Sequence, residues 1–294
     1  MADREQAFLI RFWGVRGSIP TPGPETVRYG GNTTCIEVRC DDVTLMIDSG
    51  TGARRFGRRL LRDQPTGTVR IALIFSHLHL DHVQGFPFFA PIYEARTHLD
   101  IYSATPAEST TQGALDSQMA YPSFPIGLAN LAAKLEFHTV ERDGSFEVGG
   151  VRVSTCPLSH PGGSMAIRID HRGKSFVQAS DIEHGDGPAP ELVALSRGAD
   201  FLSYDTTYVD GEEYERHRGW GHSTWREGLA VARAAGVKRF IAFHHEPSHD
   251  DAFMDRVAAE LRAADPNAVV AVEGMTIDML TGDVSYEARE PETS

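Results

Sequence analysis

The sequence predicts an α/β fold, a four-layer αβ/βα sandwich, on three observations. Short apolar runs broken by Gly and Pro dominate the early chain. Hairpin punctuation recurs through 135–180, and helix and strand then alternate to near the end. Each strand-rich half is followed by helices, which suggests two sheets packed face to face with helices outside.

Residues 7–13 (AFLIRFW), 34–40 and 43–48 (VTLMID) read as strands, and GVRGSIPTPGPETVRYGGN between the first two is a long ordered loop. GARRFGRRLLRD is a short helix, 69–76 an apolar strand and 99–103 another. Residues 106–134 are weakly patterned, with Met119, Tyr121 and Phe124 among loop formers, and read as an insertion or lid. From 135 to 180 the breaks RDGS, VGG, PGG and HRGK mark antiparallel strands. Three helix–strand pairs follow: PELVALSRG with ADFLSYDTT, STWREGLAVARAAG with VKRFIAFHH, and DDAFMDRVAAELRAAD with NAVVAVEG. Ser223 and Thr224 cap the start of the second helix and Gly236 its end. No short repeat interrupts the chain, so residues 1–288 are expected as a single domain and 289–294 as a frayed tail.

The 294 residues are 41% hydrophobic and 23% charged, ordinary for a globular protein with a large core. Acidic residues (41) exceed Lys plus Arg (28), for a formal charge of −13, which argues against long nucleic acid as a partner. A small anion drawn into a metal-bearing pocket is compatible with that charge. Three sparse cysteines, Cys35, Cys40 and Cys156, fit a reducing compartment. The start MADREQAFLIRFW lacks the apolar core of a signal peptide and no stretch is long enough to span a membrane, so a cytoplasmic location is expected.

FSHLHLDHVQGF, residues 75–86, concentrates Lewis bases at a strand end. In an extended segment His77 and His79 share a face and can address one metal ion. Asp81 and His82 follow where the chain turns away and can address a neighbouring ion. Imidazole and carboxylate without thiolate suit zinc, manganese or iron. Further candidates stand at other strand ends: His160 in CPLSHPGG, Asp181 in FVQASDIEH, and His244 with His245 in RFIAFHH.

Together these residues resemble the metallo-β-lactamase fold hydrolases: H-x-H-x-D-H at 77–82, then His160, Asp181 and His244 in the family's order. The resemblance implies that His77, His79 and His160 hold one divalent ion, Asp81, His82 and His244 a second, and that Asp181 bridges them, zinc being the leading metal. Flavodiiron relatives carry glutamate where this chain has His79, and the best-known lactamases carry cysteine where it has Asp181. A dinuclear hydrolase is therefore expected.

SYDTT followed by GWGHST resembles the RNase Z-like phosphodiesterase branch, with Asp205 in place of the usual glutamate and His222 as the histidine of GHST. The resemblance implies that His222, oriented by Asp205, protonates the leaving oxygen; Asp81 is counted with them among the catalytic groups. It favours His244 as the last ligand and leaves His245 as the alternative. Asp48 in IDSG resembles a supporting carboxylate. FWGVRGSIPTPG and FHHEPSHDD resemble a bacterial subgroup described as cyclic-nucleotide phosphodiesterase-like. A metal-dependent phosphodiesterase acting on a small diester, foremost a 3′,5′-cyclic nucleotide, is the expectation. An RNase Z-like endonuclease at tRNA 3′ ends and a thioester or lactone hydrolase are the alternatives. Arg16 is a candidate for contacting phosphate or base. Phe86, Phe88, Phe89, Tyr121 and Phe124 are candidates for either base stacking or core. His98, His138, His171, His184, His217 and His249 are assigned to surface or core. A homodimer is left open, with 106–134 as lid or dimer contact.

Overall fold

Burial of alternate residues along the strands builds the layers. In Val43–Ile47, for instance, Leu45 and Ile47 pack into the core between the sheets while Met46 faces outward to a helical layer. The computed structural model describes residues 6–104 and 109–287, so the tail 289–294 and residues 106–108 of the expected insertion lie outside it.

The first part of the chain contributes β1 (Phe8–Gly14), β2 (Cys35–Cys40), β3 (Val43–Ile47), α1 (Ala53–Asp63), β4 (Val69–Ile74), α2 (Leu80–Val83), β5 (Thr97–Ser103), α3 (Thr111–Gln118) and β6 (Lys134–Thr139). There follow β7 (Gly144–Val148), β8 (Val151–Leu158), β9 (Ser164–His171), β10 (Lys174–Ala179), α4 (Pro190–Ser196), β11 (Phe201–Asp205) and α5 (Glu212–Arg216). The last part is α6 (Trp225–Ala235), β12 (Arg239–Phe243), α7 (Asp251–Ala264), β13 (Val269–Val270), β14 (Met275–Asp278) and β15 (Val284–Tyr286).

The eight-stranded sheet runs β15-β14-β1-β2-β3-β4-β5-β6, and the seven-stranded sheet β13-β12-β11-β10-β9-β8-β7. One apolar core, including Phe12, Ile74, Ile167, Phe176 and Phe243, fills the space between them. A second joins α4, α6 and α7 to the outer face of the seven-stranded sheet, and a third joins α1 and α3 to the outer face of the other. This is the expected four-layer sandwich.

Five details depart from the sequence reading. β6 pairs in parallel with β5 at the edge of the first sheet and is not part of the antiparallel run. The chain returns at β14 to pair with β1, and the short helix α5 falls in a stretch to which the sequence reading gives no element. Within 109–134, α3 is capped by Thr110, whose side chain accepts from Gly113 N, and Leu115, Met119 and Leu128 are buried in the outer core. Tyr121 alone of its named aromatics is almost fully exposed. Thr224, not Ser223, caps α6, while Gly236 closes it in the left-handed conformation.

Far along the sheets from α2, Asp41 in the β2–β3 turn accepts Ala7 N at 3.0 Å and Arg172 Nη2 at 2.9 Å, tying the first sheet to the β9–β10 turn of the second. Arg172, helped by the Ala7 amide, holds the Asp41 carboxyl well below the usual carboxylate range. A carboxylate depressed in this way stabilises the fold above its unfolded pKa of about 4, and the contribution fades as pH falls below that value. Asp41→Asn is therefore expected to melt below wild type at pH 7, the gap narrowing in acid. Melting curves across that range check this, and a gap of constant size would contradict it.

Candidate metal centre and active site

The ends of strands supply nearly every member of the site. Asp48 follows β3, Ser76 and His77 follow β4, His160 follows β8, Asp181 follows β10, Asp205 ends β11 and His244 follows β12. Within each sheet these strands run in one direction, so their carboxyl ends open at one edge, where such sheets present ligands. Asp48, Asp181 and His244 take left-handed backbone conformations, with φ of 58°, 61° and 63°. Such a conformation costs a non-glycine residue roughly 1–2 kcal/mol, and here it turns strand-end side chains into a shared space. Gly17 lets the N-terminal loop pass beside them, since a Cβ there would lie 2.4 Å from the His244 ring.

The H-x-H-x-D-H segment is not the strand extension that its spacing suggests. β4 stops at Ile74, His77 and His79 lie in the loop, and Asp81 and His82 sit in α2. The loop is still extended at His79, and its ring meets that of His77 edge-on, the centroids 4.5 Å apart.

Two sets of donors result. His79 Nδ1 lies 3.0 Å from His160 Nε2, and Asp181 Oδ1 is 3.7 Å from Nε2 of both His77 and His160. Asp181 Oδ2 lies 3.0 Å from His82 Nε2 and 3.3 Å from His244 Nε2, and Asp81 Oδ2 is 3.4 Å and 3.2 Å from the same nitrogens. Asp181 thus presents one oxygen to each set. The donor atoms of His77, His79 and His160 lie within 4.8 Å of one another, as do those of Asp81, His82, Asp181 and His244.

The opposite ring nitrogens are occupied. His82 Nδ1 meets Asp48 Oδ2 at 2.8 Å, His160 Nδ1 donates to the Gly221 carbonyl at 2.8 Å, and His244 Nδ1 meets Thr207 Oγ1 at 3.0 Å. These contacts leave Nε2 of these three rings facing inward with the other nitrogen engaged, the usual arrangement of metal-ligating histidines. His77 Nε2, His82 Nε2 and Asp181 Oδ2 are buried without a well-formed hydrogen bond. Such atoms are costly unless something satisfies them, and a divalent cation does so for this nitrogen and carboxylate set.

The electrostatics agree. Burial keeps the pKa of His77, His79 and His160 low. Burial also opposes charge on His82 and His244, but the carboxylates, Asp181 foremost, outweigh it and raise both. Burial works against Asp81 and Asp181 ionising, yet the surrounding histidines bring both carboxyls down.

Beside these sets, Asp205 Oδ2 accepts from His222 Nδ1 at 2.8 Å and from Asp181 N at 2.9 Å, while Oδ1 accepts from Thr207. Aspartate reaches His222 because the histidine's loop folds over the end of β11. Burial opposes charge on His222, but Asp205 prevails and its pKa rises to about 9.

His244 faces the cluster, whereas the ring of His245 is buried against Ala271 O at 2.8 Å, its pKa pushed down to about 3 by burial and by Arg16. Arg16 is completely buried and donates to the carbonyls of Gly30, Glu246 and His249, so it pins loops together and is inaccessible to a solute. The aromatics divide: Phe86 and Phe89 are core, while Phe88 is exposed and meets Phe124 edge-on. Glu183, Ser76 and Thr207 contact the site and escaped sequence reading, since each is an ordinary polar residue without a motif. His184 is nearer than expected, its Nδ1 2.7 Å from Ser223 Oγ.

A family model described as the beta-lactamase superfamily domain matches residues 44–245, from β3 through the last histidines. The chain belongs to that superfamily. It is a metal-dependent hydrolase of the metallo-β-lactamase fold and is similar to proteins named ribonuclease Z. Its histidine and aspartate clusters suit divalent metal ions. Among similar proteins, ribonuclease Z of Haloarcula marismortui is 25% identical over 313 residues, covering 90% of this chain and 95% of the relative. The human short-form tRNase Z superposes with a TM-score of 0.64 at 18% identity, covering 92% of this chain and 99% of the other. A diphosphatase of the PhnP family gives a TM-score of 0.66 at 17% identity, covering 95% and 100%. Among the described residues of this superfamily member, no helix is long and apolar enough to cross a membrane.

Proposed function

We propose that the chain hydrolyses a small phosphodiester, foremost a 3′,5′-cyclic nucleotide, using two divalent ions, zinc first and manganese or iron as alternatives. His77, His79 and His160 would hold one ion, Asp81, His82 and His244 the other, and Asp181 both. When bound, such ions lower the pKa of water to about 7 and neutralise charge on phosphoryl oxygens.

The chain's own residues supply the rest. Water's oxygen bonds to phosphorus as the bond from phosphorus to the ribose oxygen breaks, the bonding pair leaving with that oxygen. His222 Nδ1 is engaged by Asp205, so Nε2 gives its proton to the departing oxygen. The proton shed by water passes to solvent, from which His222 recovers its own, and Asp81, counted among the catalytic groups, serves by holding its ion. Asp48 and Thr207 keep the ligand rings in place.

The observation that carries this reading is the His222–Asp205 contact of 2.8 Å beside the ligand cluster. A thioester hydrolase has little use for that pair, because a thiolate leaving group needs less protonation than a ribose alkoxide; a lactone also releases an alkoxide, so the substrate panel below separates that case. Cleavage of tRNA precursors is the second reading, favoured by the relatives named ribonuclease Z. The formal charge of −13 speaks against it, since RNA binding draws on basic surface. Metal analysis followed by a panel of 3′,5′- and 2′,3′-cyclic nucleotides, linear dinucleotides, a lactone and precursor tRNA decides. Turnover of the tRNA alone would overturn the small-diester reading.

A further inference from the structure

We propose that Glu183 is a positioning residue for the proton transfer assigned to His222, a role that rests on the reading above. Its backbone N–H donates to Ser159 O at 2.7 Å, next to His160. Its carboxylate accepts from Gly219 N at 2.6 Å and Gly221 N at 2.9 Å, just before His222. One residue therefore joins the loop of His160, the loop of Asp181 and the loop of His222.

The held loop needs such a clamp. Gly219 and Gly221 have φ of 91° and 88°, and glycines in that region keep wide conformational freedom unless something outside restrains them. A Cβ on Gly221 would lie 2.2 Å from His160 Nδ1, so the loop rests flush on that ring, and its carbonyl orients it. A shift of this loop displaces His222 from the departing oxygen. Carboxylate suits the task because both its oxygens accept, whereas glutamine would turn an NH2 group toward one of the two amides.

The test compares metal-loaded wild type, Glu183→Gln, Glu183→Asp and His222→Ala on two diesters. In 3′,5′-cyclic AMP the leaving alkoxide needs a proton; in bis-p-nitrophenyl phosphate the phenolate departs without one. Glu183→Gln is expected to lower kcat for cyclic AMP by about 10- to 100-fold, with KM little changed and the nitrophenyl rate nearly retained. His222→Ala should show the same selectivity more strongly, and Glu183→Asp, which keeps both acceptor oxygens, should recover part of the loss. Metal content and melting temperature of the Gln variant should match wild type. Equal losses on both substrates, no loss, or loss of metal would overturn the positioning role. Should the Gln variant fail to fold, Glu183→Asp carries the same substrate comparison. If His222→Ala itself shows no leaving-group selectivity, or wild type cleaves neither diester, the underlying reading fails first.

Discussion

Asp181→Ala will lower kcat/KM for phosphodiester hydrolysis by about 10³-fold or more, the equivalent of several kcal/mol of lost charge stabilisation, and a chelator will abolish activity in the wild type. The reason is geometric. Asp181 directs Oδ1 toward His77 and His160 and Oδ2 toward His82 and His244, so its removal takes a negative charge from both sets at once. Metal analysis should find the variant short of two ions per chain even after incubation with excess zinc. Restoring metal to the chelated wild type should restore activity. A variant that kept both ions and full rate would show that Asp181 does not join the two sets.

His222→Ala will reduce kcat on a cyclic nucleotide by about 10²- to 10⁴-fold, the range for losing a general acid. Its metal content is expected to stay at the wild-type value, because His222 Nδ1 is committed to Asp205 at 2.8 Å and the two proposed donor sets do not draw on it. The alternative is specific: Asp181, Asp205, His222 and His244 themselves lie close enough to form a further donor group. Loss of an ion from His222→Ala would make His222 a ligand and remove it as proton donor.

Much of the fold was legible because its signals are local. The apolar runs at 69–74 and 201–205, the caps at Thr224 and Gly236, and the Gly-containing breaks between β7 and β10 lie where reading the residues puts elements and turns. What escaped were contacts set by distant partners. β6 reads like its antiparallel neighbours but pairs in parallel with β5, and nothing local marks β14 as the strand that returns to β1. Met119 sits among loop formers yet is fully buried, because the outer face of the first sheet needs covering there.

The site divides in the same way. Taken alone, the sequence determined which residue types were available for metal chemistry and the order in which they occur, since histidine and aspartate spacing is written in the chain. Only the tertiary structure decided which of two adjacent histidines turns inward. It gives that place to His244, whose left-handed backbone aims the ring at Asp81 and Asp181, and leaves His245 against Ala271. It likewise buried Arg16 and placed Glu183 under the loop of His222. Side-chain direction at a strand end depends on backbone torsions and on neighbours far away in the chain, and neither is encoded in residue spacing.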